Sequence, residues 1–139
     1  MIQEELQGIA SKRMGTRMIP TKNKFCTFDA YADDYVVEFK CRRKHYDTQL
    51  IEYKKFIANL DQADESGREF LYIISTPKGV YLFNVSKLAR AGYDFGWEDR
   101  VMPTHTDFSN KSKKDKKVGY ISISSSKVIG LFSGQLLIS

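Results

Sequence analysis

A carboxylate and an amine two residues apart on a hydrophobic strand constrain this chain more than any other feature. The triplet is Glu38-Phe39-Lys40, inside the stretch Asp29–Tyr53. Strand side chains alternate between faces, so Glu38 and Lys40 project from one face and Phe39 from the other. Taken alone, such a triplet is usually a surface ion pair, and its neighbours decide whether this one is more. Residues 25–32 predict a strand, Tyr35–Arg42 its antiparallel partner, and Ala32-Asp33-Asp34 the turn, without an Asn-Gly or Asp-Gly signal. Symmetry about that turn sets Asp29 opposite Glu38 and Cys26 opposite Cys41. Like charges directly opposed cost stability unless a cation lies between them. A hard divalent cation such as Mg²⁺ resolves the conflict.

The segments on either side supply further candidates. Residues 2–14 have helical spacing in Ile2, Leu6, Ile9 and Arg13, widened by Ala10 and Met14, and Gly15 fits a helix stop. Glu5 falls at the edge of that stripe and Glu4 nearly opposite, so Glu5 is the carboxylate expected to reach inward. The alternative is that both simply favour the helix N-terminus. Lys12, Arg13, Arg17, Lys22 and Lys24 then place five cations ahead of the hairpin. They suit a solvated surface or a phosphate backbone. Met18-Ile19 is a candidate short strand, with Pro20 and Asn23 in the loop after it. Beyond the hairpin, Arg42, Arg43, Lys44 and His45 form a basic linker. Residues 46–60 predict a helix whose face is Tyr46, Leu50, Tyr53, Ile57 and Leu60, with Gln49 and Tyr53 as neighbours four apart.

The second half predicts more sheet. Phe70–Ser75 is a continuous apolar run, as a central strand would be, and Val80–Val85 is a second strand. Ser86–Ala91 predicts a short helix capped by Ser86 and stopped by Gly92. Residues 93–110 read as irregular. Asn110–Lys117 holds five lysines against one aspartate, and we expect a solvated, mobile loop in which Lys113, Lys114, Lys116 and Lys117 could lie along phosphates. Val118–Ile123 predicts a last core strand, and the apolar tail Val128–Ile138 a final strand or an interface segment.

Length and composition set bounds. At 139 residues the chain suits one domain over residues 1–139 with a substantial core. No apolar run is long enough for a membrane helix, and the start lacks the apolar region of a secretion signal, so a cytoplasmic location is expected. The two cysteines are expected as free buried thiols, and they lack the C-x-x-C spacing of a zinc or iron–sulfur site. A net charge of +5 supports a nucleic-acid partner only weakly by itself.

Taken together, Glu5 on a first helix, T-F-D at 27–29, E-F-K at 38–40, and Gln49 with Tyr53 resemble the PD-(D/E)xK nuclease superfamily. The resemblance covers about residues 2–85. It comes nearest to the small archaeal Holliday-junction-resolvase type, with likeness also to phage and homing endonucleases of restriction-like fold. The proline of the family motif is absent at Phe28. The resemblance implies an α/β fold, a restriction-endonuclease-like mixed β-sheet core flanked by helices. It implies a Mg²⁺-dependent deoxyribonuclease in which Mn²⁺ substitutes, with DNA as partner and a homodimer or higher homo-oligomer as the working form. Asp29, Glu38 and the backbone carbonyl of Phe39 would hold the metal. Lys40 would orient or deprotonate the attacking water, Glu5 would be an auxiliary carboxylate, and Gln49 would assist from the second helix with Tyr53 in support. Two other functions stay open: a RecB-like exonuclease, favoured by Gln49 and Tyr53, and a non-catalytic DNA-binding protein that keeps the fold.

Overall fold

A computed structural model describes residues 1–21, 26–103, 113–133 and 136–138. Its spine is β5 (Glu69–Thr76), whose run from Phe70 to Thr76 is buried throughout. Burial on both faces explains the uninterrupted apolar sequence. Even positions Phe70, Tyr72 and Ile74 pack into one core, odd positions Leu71 and Ile73 into another. α1 (Gln3–Met14) covers the odd side with Leu6 and Ala10. α2 (Tyr53–Ser66) covers the even side with Phe56 and Ala63.

Seven strands form the main sheet, in the order β1 (Ile19–Pro20), β2 (Ala30–Tyr31), β3 (Tyr35–Cys41), β5, β6 (Gly79–Asn84), β9 (Lys127–Ser133), β10 (Leu136–Ile138). β3 and β5 pair in parallel and the other neighbours antiparallel. The mixed sheet flanked by helices is the architecture expected from the sequence. A second sheet of three antiparallel strands has the order β4 (Thr48–Glu52), β8 (Lys113–Ser122), β7 (Glu98–Pro103). No helix among the described residues is long and apolar enough to cross a membrane.

Several elements differ from expectation. The predicted helix 46–60 is split: residues 48–52 are β4, and α2 begins at Tyr53 and runs to Ser66, where Gly67 at φ 69° stops it. Short apolar runs satisfy either period. Here the alternating burial of Gln49 and Ile51 against partly exposed Leu50 and Glu52 is that of a strand paired with β8. The first hairpin strand shrinks to Ala30–Tyr31, and Lys22 and Lys24 lie outside the described residues. Glu98–Pro103 and Lys113–Lys117, expected as irregular chain and loop, pair as a ribbon. Its charges find partners: Asp99 lies opposite Lys117, Lys116 Nζ is 3.4 Å from Glu52, and Lys117 Nζ lies 4.3 Å from the Tyr53 ring centroid. The short helix α3 (Val85–Arg90) is capped by Asn84, whose Oδ1 accepts from Lys87 N–H. Ser86 is buried instead and accepts from Phe70 N–H at 2.8 Å.

An aromatic layer joins the two sheets. Phe95 stacks on Trp97 (centroids 5.3 Å apart), and both meet Phe56 at about 5 Å. Trp97 lies over Gly119, where an added Cβ would stand 2.8 Å from its ring. A Cβ that close forces the ring or the β8 backbone to shift. Gly119→Ala should therefore destabilise the fold by about 1–3 kcal/mol, whereas Gly8→Ala on the exposed side of α1, with no neighbour within 4 Å, should stabilise it by roughly 0.5–1 kcal/mol. Urea unfolding of both variants checks the pair.

Candidate active site

Asp29 is fixed by main-chain bonds on both sides. Its N–H donates to Val37 O at 2.9 Å, and its carbonyl accepts from Thr21 N–H at 3.0 Å. The observed register pairs Ala30 with Val37 and Tyr31 with Val36. Because the Asp29 N–H also bonds Val37 O, the one-to-one pairing expected to set Asp29 opposite Glu38 breaks at Val37, and Asp29 sits beside the strand just short of Glu38. The β2 ladder stops at Ala30, so the Asp29 carboxylate takes the next place. Asp29 Oδ2 accepts from Phe39 N–H at 2.8 Å. In an extended strand the N–H and C=O of one residue point to the same edge. The Phe39 carbonyl is thus aimed at the edge where Asp29 sits.

Glu38 emerges on the α2 side of β3, opposite Tyr72 of β5 in the parallel register. It is 5% exposed, a low figure for a carboxylate. Lys55 of α2 holds it, with Nζ 3.3 Å from Oε1. Burial raises the Glu38 pKa and the charge of Asp29 adds to the rise, while Lys55 and Lys40 act against it. Lys40 projects from the same face. Burial lowers its pKa, and the charges of Lys55 and Arg42 lower it further against the pull of Glu38 and Glu52. Arg42 Nη2 donates to Leu50 O and to the Tyr72 hydroxyl, each at 3.4 Å.

These groups border two clefts. One, of about 650 Å³, is lined by Asp29, Glu38, Phe39, Lys40 and Lys55, with Ile2 and Gln3 of the α1 end and Cys26 and Cys41 at its margin. The other, of about 170 Å³, is lined by Glu38, Lys40, Arg42, Leu50, Glu52, Lys55 and Tyr72. Glu38, Lys40 and Lys55 face both. Thr27 anchors the segment before Asp29 by donating its hydroxyl to Asn59 Oδ1 on α2.

Other expected site residues lie elsewhere. Glu5 is exposed and lines neither cleft. At about 100° per residue it stands roughly 100° from Leu6 and 140° from Ala10, which set the buried face, whereas Gln3, exposed but on the side of Ala10, is the helix residue that lines the larger cleft. Gln49 is 1% exposed on β4, where its Nε2 donates to Tyr46 O at 2.8 Å. It is not on a helix with Tyr53, which instead packs edge-on to Trp97. Lys12, Arg13 and Arg17 are exposed at the far end of α1, roughly 15 Å along its axis from the end that borders the cleft. Arg43 and Lys44 are exposed just after β3. Cys26 and Cys41 are free, as expected, but half-buried and exposed rather than buried.

The carboxylates also fit a divalent cation chemically. Among the described residues no cluster of three or more His, Cys, Asp or Glu side chains converges. Mg²⁺ does not need one, since it usually keeps several waters and binds through one or two carboxylates plus substrate phosphates. Asp29, Glu38 and the Phe39 carbonyl are all hard oxygen donors.

The parallel β3–β5 pair, the antiparallel strands around it and the helices on both faces define a restriction-endonuclease-like fold. The chain is similar to Hjc of Archaeoglobus fulgidus, a Holliday junction resolvase from an archaeal hyperthermophile, with a TM-score of 0.58 and 17% identity over 91% of this chain and 96% of that one. No family model and no curated protein matches the chain.

Because burial raises the Glu38 pKa above its unfolded value, its contribution to stability is complete below the ordinary carboxylate pKa and is lost as pH rises through the folded value. In metal-free buffer Glu38→Gln should therefore melt higher than wild type at neutral pH. The two should converge below pH ~4. Calorimetry across pH checks this, and a Gln variant that melts lower at neutral pH contradicts it.

Proposed function

We propose that this chain is a metal-dependent DNA endonuclease that cuts phosphodiester bonds in branched duplex DNA, in the manner of a junction resolvase. The observation that carries the reading is that the Asp29 and Glu38 carboxylates line one cleft together with Lys40, with Asp29 held there by Phe39 N–H. The fold shared with Hjc supports it. Mg²⁺ is the expected metal, with Mn²⁺ able to substitute. Held by Asp29, Glu38 and the Phe39 carbonyl, the cation would acidify the attacking water and shield the phosphate oxygens.

The chain's own residues supply the rest. Asp29 is locked by Phe39 N–H and Glu38 by its burial, so neither needs to reorganise when substrate arrives. Lys40 holds the attacking water in line with the leaving oxygen and offsets charge on the five-coordinate phosphate. Arg42, Arg43 and Lys44 contact the backbone next to the cut. Lys116 pairs with Glu52, which lines the small cleft, and with Lys117 beside Tyr53 it would meet the backbone of a DNA arm. Lys12, Arg13 and Arg17 meet DNA only where it runs the length of α1. Lys113 and Lys114 fall on β8 of the same ribbon. Two symmetric cuts need two sites, so a homodimer is the working form. A location with the DNA, cytoplasmic or nucleoid-associated, follows.

The exonuclease reading loses its main support, because Gln49 is buried on a strand and not on a helix beside the site.

The test is a substrate panel: four-way junction, linear duplex, supercoiled plasmid and single strand, each with Mg²⁺, Mn²⁺ or EDTA. The junction should be cut best, and only with metal. Glu38→Ala and Lys40→Ala should each lose about 10²-fold or more, whereas Glu5→Ala should stay near wild type. Full cutting by Glu38→Ala would overturn the site.

A further inference from the structure

α2 begins with Tyr53, Lys54 and Lys55 and has no acidic residue in its first turn. Cations there oppose the helix dipole, so placing two lysines at this end needs another reason. Lys54 is exposed and points to solvent. Lys55 turns to Glu38, with its side chain 42% exposed against 7% for the carboxylate. A buried carboxylate without a counter-ion is costly, and Lys55 supplies one where a metal would otherwise have to.

The same position is awkward once a metal is present. Lys55 already opposes the charge of Lys40 across the cleft. A divalent cation on Glu38 would add a second, stronger repulsion. A half-exposed lysine on a four-carbon stem can swing its ammonium into water with little loss of packing.

We propose that Lys55 is the resident counter-ion of Glu38 in the metal-free protein, and that a divalent cation binds at Asp29 and Glu38 by displacing the Lys55 ammonium. The proposal rests on the metal-site reading above. It makes Lys55 a positioning residue that sets metal affinity: Glu38 stays charge-compensated at every stage, and the site holds metal less tightly than its carboxylates alone would allow.

The experiment is titration of the metal-free full chain with Mn²⁺, followed by electron paramagnetic resonance at fixed pH and ionic strength. Lys55→Met and Lys55→Gln should bind Mn²⁺ roughly two- to fivefold tighter than wild type, the upper part of the range for removing one partner of a half-exposed ion pair. Lys55→Arg, which keeps the charge, should stay close to wild type. Mn²⁺ should also raise the melting temperature of Lys55→Met by more than that of wild type. Unchanged or weaker binding in both neutral variants would overturn the proposal while leaving the metal site standing. If wild type shows no Mn²⁺ binding that Glu38→Gln abolishes, the metal-site reading fails first and this one with it.

Discussion

The bond from Phe39 N–H to Asp29 Oδ2 holds the rest of the site in place. It forms because β2 ends at Ala30, leaving an unpaired edge on β3 where a main-chain donor would otherwise face water. A side chain completes the ladder in place of a backbone carbonyl. One carboxylate is thereby pinned beside a second that the β3 alternation turns into the even-side core. A longer β2 would have paired Phe39 through main chain and left Asp29 free to turn away.

The parallel β3–β5 pair then determines what surrounds Glu38. Parallel neighbours need a crossover, and here β4 and α2 make it. The crossover passes over the face from which Glu38 and Lys40 project. It brings Leu50, Glu52 and Lys55 to them, and through β4 it recruits the second sheet with its basic ribbon. The cations of the site thus come from three elements that share no local sequence pattern.

That is why the sequence was legible in part. Glu38 and Lys40 are legible because strand period is a local rule that β3 obeys, and Asp29 because the turn brings its segment back along β3, although the pairing there departs from simple hairpin symmetry at Val37. Phe70–Ser75 declared itself because burial on both faces removes every polar residue. Gln49 is assigned to the wrong element because T-Q-L-I-E fits a helix as well as a strand until its pairing with β8 is known. That one error also hid Lys55, whose place in a first turn appears only once α2 starts at Tyr53. Glu5 was a matter of helix phase: a stripe drawn through Ile2 and Ile9 turns it inward, whereas burial of Leu6 and Ala10 turns it out. The lysine-rich ribbon gave no strand signal, since its pairing depends on Glu52, Tyr53 and Asp99, remote in sequence.

The proposed activity depends on Asp29 and Glu38 jointly holding a divalent cation. An anomalous difference map from crystals soaked in Mn²⁺ tests this most directly. It should show a peak between the two carboxylates, on the side to which the Phe39 carbonyl points. A map with no peak there, or with Mn²⁺ bound only at other residues, would contradict it.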